Sequence, residues 1–176
     1  MFYDALTFFN NQYGLAVGDA QGGCLSILRT TDGGQSWIKI PCEELPMGIA
    51  DEGAYAASNT NIKTIGSKAW VATTAANIYY SEDYGAHWTR FQTPVKSDSI
   101  EAYGVYSIDF WNDQQGIAYG GSFVTPTDNS ANIALTEDAG PHWKLVAQGA
   151  NPGYKSCVQY VPGTKGQGLV AIGFTG

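Results

Sequence analysis

Five carboxylates, Asp4, Asp51, Glu52, Glu101 and Asp109, stand on or beside segments that read as strands or as the turns feeding them. Two carboxyl groups facing each other across a cleft can cut a glycosidic bond, one as acid and one as base or nucleophile. Asp109 is the best placed of the five. It lies in Tyr106-Ser107-Ile108-Asp109-Phe110, where strand alternation puts Ser107 and Asp109 on one face. The same pattern fits a plainer role, a satisfied polar pair lining a channel. The histidines, His87 and His142, occupy equivalent positions of a repeat, so they fall on different units and no zinc site is expected. No dinucleotide fingerprint, P-loop, Cys-x-x-Cys or nucleophile-elbow motif is present, and no cofactor is expected.

The elements that must position these residues are announced by one eight-residue pattern, Ser/Thr-x-Asp-x-Gly-x-x-Trp. It occurs as Thr30-Thr31-Asp32-Gly33-Gly34-Gln35-Ser36-Trp37, as Ser81-Glu82-Asp83-Tyr84-Gly85-Ala86-His87-Trp88 and as Thr136-Glu137-Asp138-Ala139-Gly140-Pro141-His142-Trp143. The starts are 51 and 55 residues apart, a period that signals a solenoid, propeller or array. Each copy describes a turn between two strands. The Asp carboxylate accepts from backbone N–H groups just ahead of it. The Gly supplies a positive φ without a Cβ. The Trp buries a large ring while keeping its N–H paired.

The rest of the period repeats as well. Phe9-Asn10-Asn11-Gln12-Tyr13-Gly14 returns as Trp111-Asn112-Asp113-Gln114-Gln115-Gly116, a strand end, an Asn-led turn and the start of an apolar strand. Four short strands per period are predicted, near 4–9, 14–19, 25–31 and 36–41; near 55–65, 68–74, 77–82 and 87–93; and near 104–110, 116–121, 132–137 and 142–147. The stretch 43–54 reads as a loop because of Pro46, Gly48 and Gly53. Segments 155–161 and 168–173 begin a fourth period. The expectation is an all-β propeller of four-stranded antiparallel blades. About three and a half blades are present: 1–50, 51–98, 99–150 and a half blade over 151–176. A closed ring needs roughly four to eight blades. The chain is therefore expected to belong to a larger ring, or to self-associate so that a second copy closes it.

Composition narrows the partners. Of 176 residues, 22 are Gly, and charged residues make up only 14%, which suits many short strands and tight turns. The net charge is −7 with no Lys/Arg cluster, so neither nucleic acid nor an acidic membrane surface is an expected partner. No run of 18 apolar residues could span a bilayer, and no signal peptide is visible at the N-terminus. Cys24 and Cys42 flank the first repeat turn at matching distances. A cross-strand disulfide between them is one reading, and two buried thiols the other. A disulfide would imply an oxidising compartment. Cys157 reads as a small buried hydrophobe.

The eight-residue pattern resembles the Asp-box of the BNR, or sialidase-like, β-propellers. The resemblance implies that Thr30, Asp32, Gly34, Trp37, Ser81, Asp83, Gly85, Trp88, Thr136, Asp138, Gly140 and Trp143 are structural, joining the third and fourth strands of a blade. Sialidases clamp a carboxylate with three arginines. This chain has two, Arg29 and Arg90, both beside Asp-boxes on outer strands. Lysine cannot replace a bidentate guanidinium, so sialidase activity is not expected.

A narrower resemblance rests on 53–62, on Tyr106-Ser107-Ile108-Asp109-Phe110 and on Pro152-Gly153-Tyr154-Lys155-Ser156-Cys157-Val158-Gln159-Tyr160-Val161-Pro162. These segments resemble the photosystem II assembly-factor-like family of Bacteroidetes, sometimes labelled "oxidoreductase". The resemblance implies a periplasmic or secreted propeller with no demonstrated reaction. Ser58, Asn59, Asn61, Ser107, Asp109, Tyr154, Lys155 and Gln159, with Ser156, are the candidate channel-lining, ligand-binding residues. The expected function is a non-catalytic extracytoplasmic binding or assembly scaffold with a protein or carbohydrate ligand. The alternative is a glycoside hydrolase or lyase whose site is completed outside this chain.

Overall fold

A computed structural model describes residues 2–56, 59–98 and 102–174. Among the described residues, fourteen strands form antiparallel sheets that follow the chain in order. The first sheet holds β1 (Tyr3–Phe8), β2 (Gly14–Gln21), β3 (Cys24–Thr30) and β4 (Ile38–Lys39). The second holds β5 (Ile62–Ile65), β6 (Lys68–Ala72), β7 (Asn77–Ser81) and β8 (Thr89–Gln92). The third holds β9 (Gly104–Phe110), β10 (Gly116–Gly121), β11 (Ile133–Thr136) and β12 (Lys144–Leu145). A two-stranded sheet follows, β13 (Cys157–Tyr160) and β14 (Leu169–Ile172). The first strands of successive sheets touch one another, β1 to β5, β5 to β9 and β9 to β13, so they are the inner strands of a blade array. The fold is an all-β partial propeller.

Several elements differ from the sequence expectation. The strand predicted from 55 begins only at Ile62, because residues 51–56 and 59–61 run as a linker that bonds to the sheets beside it. The outer strands β4 and β12 are two residues long, which leaves little unpaired edge. The stretch 43–54 is mostly irregular but opens on a 3₁₀ turn, Cys42–Glu44. Cys157 is half-buried rather than buried, since among the described residues no further sheet covers β13 and β14.

Apolar side chains between blades make the core. Leu15, Val17, Leu25 and Ile27 of the first blade pack on Ile62, Val71 and Tyr79 of the second. Trp70, Ile78 and Ala72 of the second pack on Val105, Ile108 and Phe110 of the third. Antiparallel order gives every blade two distinct ends. One end carries the Asp-box turns and the turns after the inner strands; Gly33 N–H bonds Gln12 O, Tyr84 bonds Ser67 and Ala139 bonds Gln114 across it. The other end, the mouth, carries the linkers between blades and the turns joining second to third strands. Cys24 and Cys42 form a disulfide at the mouth, with Cα atoms 5.7 Å apart, pinning the start of the first linker.

Candidate functional site

The Asp-box end is a set of closed hydrogen-bond networks. In the second box Ser81 Oγ donates to Asp83 Oδ1 (3.0 Å) and accepts from Gly85 N (3.0 Å). Asp83 Oδ1 accepts from His87 N (2.9 Å), and His87 Nδ1 lies 2.6 Å from Asp83 Oδ2. Trp88 Nε1 donates to Gly85 O at 3.0 Å. The third box repeats this with Thr136, Asp138, Gly140, His142 and Trp143. In the first, Ser36 stands where the others have His: its N and Oγ both donate to Asp32, and Thr30 Oγ1 donates to Asp32 and accepts from Gly34 N. Trp37 lies edge-on to Phe8. Hydrogen bonds from Ser36 and Thr30 hold Asp32 down at about 2. Burial works against Asp83, yet bonds from His87 and Ser81 outweigh it and bring it to about 2; Asp138 is lowered by the same balance with His142 and Thr136. Each histidine is committed within its own box.

The candidate ligand residues of the inner strands are drawn into contacts between blades. Asn59, just before β5, clasps the backbone of β1: its Oδ1 accepts from Leu6 N and its Nδ2 donates to Leu6 O, both at 2.8 Å. Ser107 Oγ lies 2.7 Å from Thr60 Oγ1 and accepts from Val158 N at 2.9 Å. Asp109 does the same with charge. Its Oδ1 is 2.6 Å from Lys63 Nζ, and its Oδ2 accepts from Tyr160 N at 2.7 Å. Ser107 and Asp109 therefore share a face, and that face ties three inner strands together.

Burial separates the remaining candidates. Asn61, Tyr154 and Lys155 are buried, and Gln159 is exposed. Asn61 Nδ2 donates to Tyr55 O, while its Oδ1 is buried with no partner. Tyr154 packs edge-on against Tyr106, which stacks on Tyr55 with ring centres 3.6 Å apart. Burial raises the phenols of Tyr55, Tyr106 and Tyr154, so they stay protonated at neutral pH. Ser156 Oγ donates to Ile172 O. Gln159 lines a small cleft of about 210 Å³ with Lys63, Asp109, Trp111, Tyr160 and Lys165. Ser58 and Glu101 lie outside the described residues. Lys63 and Thr60, the partners of Asp109 and Ser107, escaped sequence reasoning; the signal for them was their place on or just before the preceding inner strand.

The other carboxylates gather at the mouth. Glu52 is fully buried and accepts from Thr73, Asn77, Tyr79 and the backbone N–H of Ile49, so it anchors the linker into the second blade. Asp51 is exposed, at a φ of 61°. Asp4 sits beside Asp19. Burial and the charge of Asp19 push Asp4 up to about 6 against one backbone hydrogen bond from Ala54, and its Oδ2 is buried without a partner. Gly53 lies against the same pair, since a Cβ there would fall 2.2 Å from Asp19 Oδ1. Asp109 has no carboxylate among its bonded partners, so the acid–base pair sought around it is not assembled by the described residues.

Known proteins share this architecture. A structure of YCF48 bound to D1 peptide matches with a TM-score of 0.61 at 18% identity, over 91% of this chain and 44% of that one. The GH74 enzyme of Niastella koreensis matches with a TM-score of 0.61 at 16% identity, over 90% and 24%. YCF48 from Cyanidioschyzon merolae matches at 0.52 and 19%, over 81% and 38%. The chain thus spans less than half the length of each of these propellers. No curated protein matches the sequence. The family model described as Sortilin-Vps10 (Sortilin, neurotensin receptor 3) matches residues 25–160, most of the chain, and the chain belongs to that family.

Proposed function

We propose that this chain is part of a non-catalytic, extracytoplasmic propeller scaffold that binds a protein partner. The observation that carries the reading is the use of Asn59, Ser107 and Asp109. The polar residues best placed for chemistry on the inner strands tie blade to blade instead. The disulfide fits an oxidising compartment and supports a periplasmic or secreted location. A propeller of the same fold, YCF48, has been solved with a peptide bound, which supports a protein partner. Incubation with xyloglucan and other β-glucans should release no reducing sugar above the blank. Robust cleavage would overturn the reading.

A second reading has one observation in its favour. Asp4, raised to about 6 beside Asp19, is a carboxyl group poised to donate a proton, and GH74 enzymes share the fold. A glycoside hydrolase or lyase completed by residues outside this chain would use that pair. Loss of cleavage in Asp4→Asn, with an intact fold, is the result it requires.

A further inference from the structure

Every blade has two faces, one toward the blade before it and one toward the blade after it. Strand register assigns the same positions to each face in every period. Leu6 and Phe8 of β1 hold the places of Ile108 and Phe110 of β9, since Phe8 pairs with Gly14 as Phe110 pairs with Gly116. Phe8 also lies over Gly14 and edge-on to Trp37, as Phe110 lies over Gly116 and edge-on to Trp143. Phe110 is buried because Trp70 of the blade before it stacks on its ring, with centres 4.0 Å apart. Among the described residues no earlier blade covers Phe8 and Leu6, which are 40% and 49% exposed.

The half blade ends on the opposite face. Tyr160 pairs with Leu169 as Phe110 pairs with Gly116, so Val170 and Ile172 of β14 hold the places of Ile117 and Tyr119 of β10. Ile117 and Tyr119 are buried against β13, as Trp70 and Ala72 of β6 are buried against β9. Val170 and Ile172 are 53% and 58% exposed. The two open faces are thus the two halves of one repeated contact. The polar ties follow the same register. Asp109 accepts from Tyr160 N on the next inner strand. Gln159, which is exposed, holds the place of Asp109 on β13, and Phe8 holds the place of Tyr160 on β1.

We propose that a second copy of this chain covers both faces head to tail. Leu6 and Phe8 of one copy sit against Ile172 and Val170 of the other, Gln159 takes the N–H of Phe8, and the same seam forms again on the far side. The proposal goes beyond the scaffold reading and holds whatever the ring binds. A head-to-tail contact either closes into a ring or runs on as a filament. Four sheets per chain make eight in the pair, two of them half blades, and closed rings hold roughly four to eight blades. One copy covers 44% of the YCF48 chain, so a pair has about the length of one such propeller. Burial of the four exposed apolar side chains supplies the attraction.

The test is the solution mass of the 176-residue chain, by light scattering and sedimentation across micromolar concentrations. The expected mass is twice the 18.8 kDa of one chain. Leu6→Lys and Ile172→Asp each place a charge on one of the two faces, and each should raise the dissociation constant about tenfold or more. Both side chains are exposed in the single chain, so circular dichroism should show an unchanged fold. An equal mixture of the two variants should recover the dimer, because a pair with one of each sets opposite charges across one seam and leaves the other seam native. Met47→Asp alters an exposed apolar side chain of the first linker, away from both faces, and should leave the mass at two copies. A monomer at every concentration overturns the proposal, as does loss of the dimer in Met47→Asp. A mass that keeps growing with concentration marks a filament and overturns ring closure. Loss of the dimer in only one of the two face variants means that a face meets its own like, and a mixture that stays monomeric means that the two faces do not meet; either result overturns the proposal as well.

Discussion

The first and second Asp-boxes share the bonds between their Ser/Thr, Asp and Gly but sit in different surroundings. The second is wedged against the blade before it. Arg29 Nε donates to Tyr84 O at 2.7 Å, and the Tyr84 ring stacks on Tyr13 at 4.4 Å. A Cβ on Gly85 would fall 2.5 Å from Leu15. The third box is wedged likewise, with Trp70 Nε1 donating to Ala139 O at 2.6 Å. The first box has no blade before it among the described residues. A Cβ on its Gly34 would find Phe8 and Trp37 nearest, and Gly33 stands where the others place Tyr84 and Ala139. All three of these residues have positive φ, yet glycine is used only in the first box. A side chain held in that conformation pays roughly 1 kcal/mol, and Tyr84 recovers it through contact with the neighbouring blade. The turn motif thus serves two roles, a local clasp everywhere and a wedge between blades where a neighbour exists.

If the first blade depends on its own clamps, the disulfide should matter most. Cys24→Ala with Cys42→Ala opens a loop of 18 residues and should cost about 3 kcal/mol of unfolding free energy. Urea denaturation measures it, and an unchanged midpoint would mean that packing alone holds the first blade. Next comes the wedge. Gly85→Ala must move Leu15 as well as strain φ, for about 2–3 kcal/mol, whereas Gly34→Ala meets its nearest atom at 3.5 Å and should cost about 1 kcal/mol. Equal losses at the two sites would break the comparison. Asp83→Ala removes an acceptor shared by Ala86 N, His87 N and Ser81 Oγ and should cost about 1–2 kcal/mol, moderated by solvent. An unchanged melting temperature would refute the clasp.

The sequence made the blade plan legible because its signals are local: turn residues at fixed offsets and apolar strands of period two. The all-β architecture and strand order follow from those alone. The contacts between blades were not legible, since they join residues about 50 positions apart with no pattern linking them. Asp109 looked like channel lining because alternation tells which face a residue takes, not what stands opposite. Lys63 stands there, on a strand that begins at Ile62, after the linker. The same limit hid the mouth. Asp4 and Asp19 lie 15 positions apart on paired strands, and only the pairing of Tyr3 with Gly18 brings them together.

The two ends of the molecule should also titrate in opposite senses, and this is the smallest and sharpest test. At the Asp-box end the folded carboxyls lie below their ordinary value of 3.8, near 2 for Asp32 and Asp83. Their contribution is present above the unfolded value and is lost as pH falls from 3.8 through 2. At the mouth, Asp4 is raised to about 6. Its contribution is complete below 3.8 and is lost as pH rises through 6. Stability should therefore rise modestly as pH is lowered from 7 to about 4, then fall below it. Asp4→Asn should flatten the rise and leave the acid fall intact. Asp83→Asn should soften the fall and leave the rise intact. Melting temperatures across pH 2–8 for the two variants distinguish the ends. A rise that survives in Asp4→Asn would mean that another carboxyl drives it.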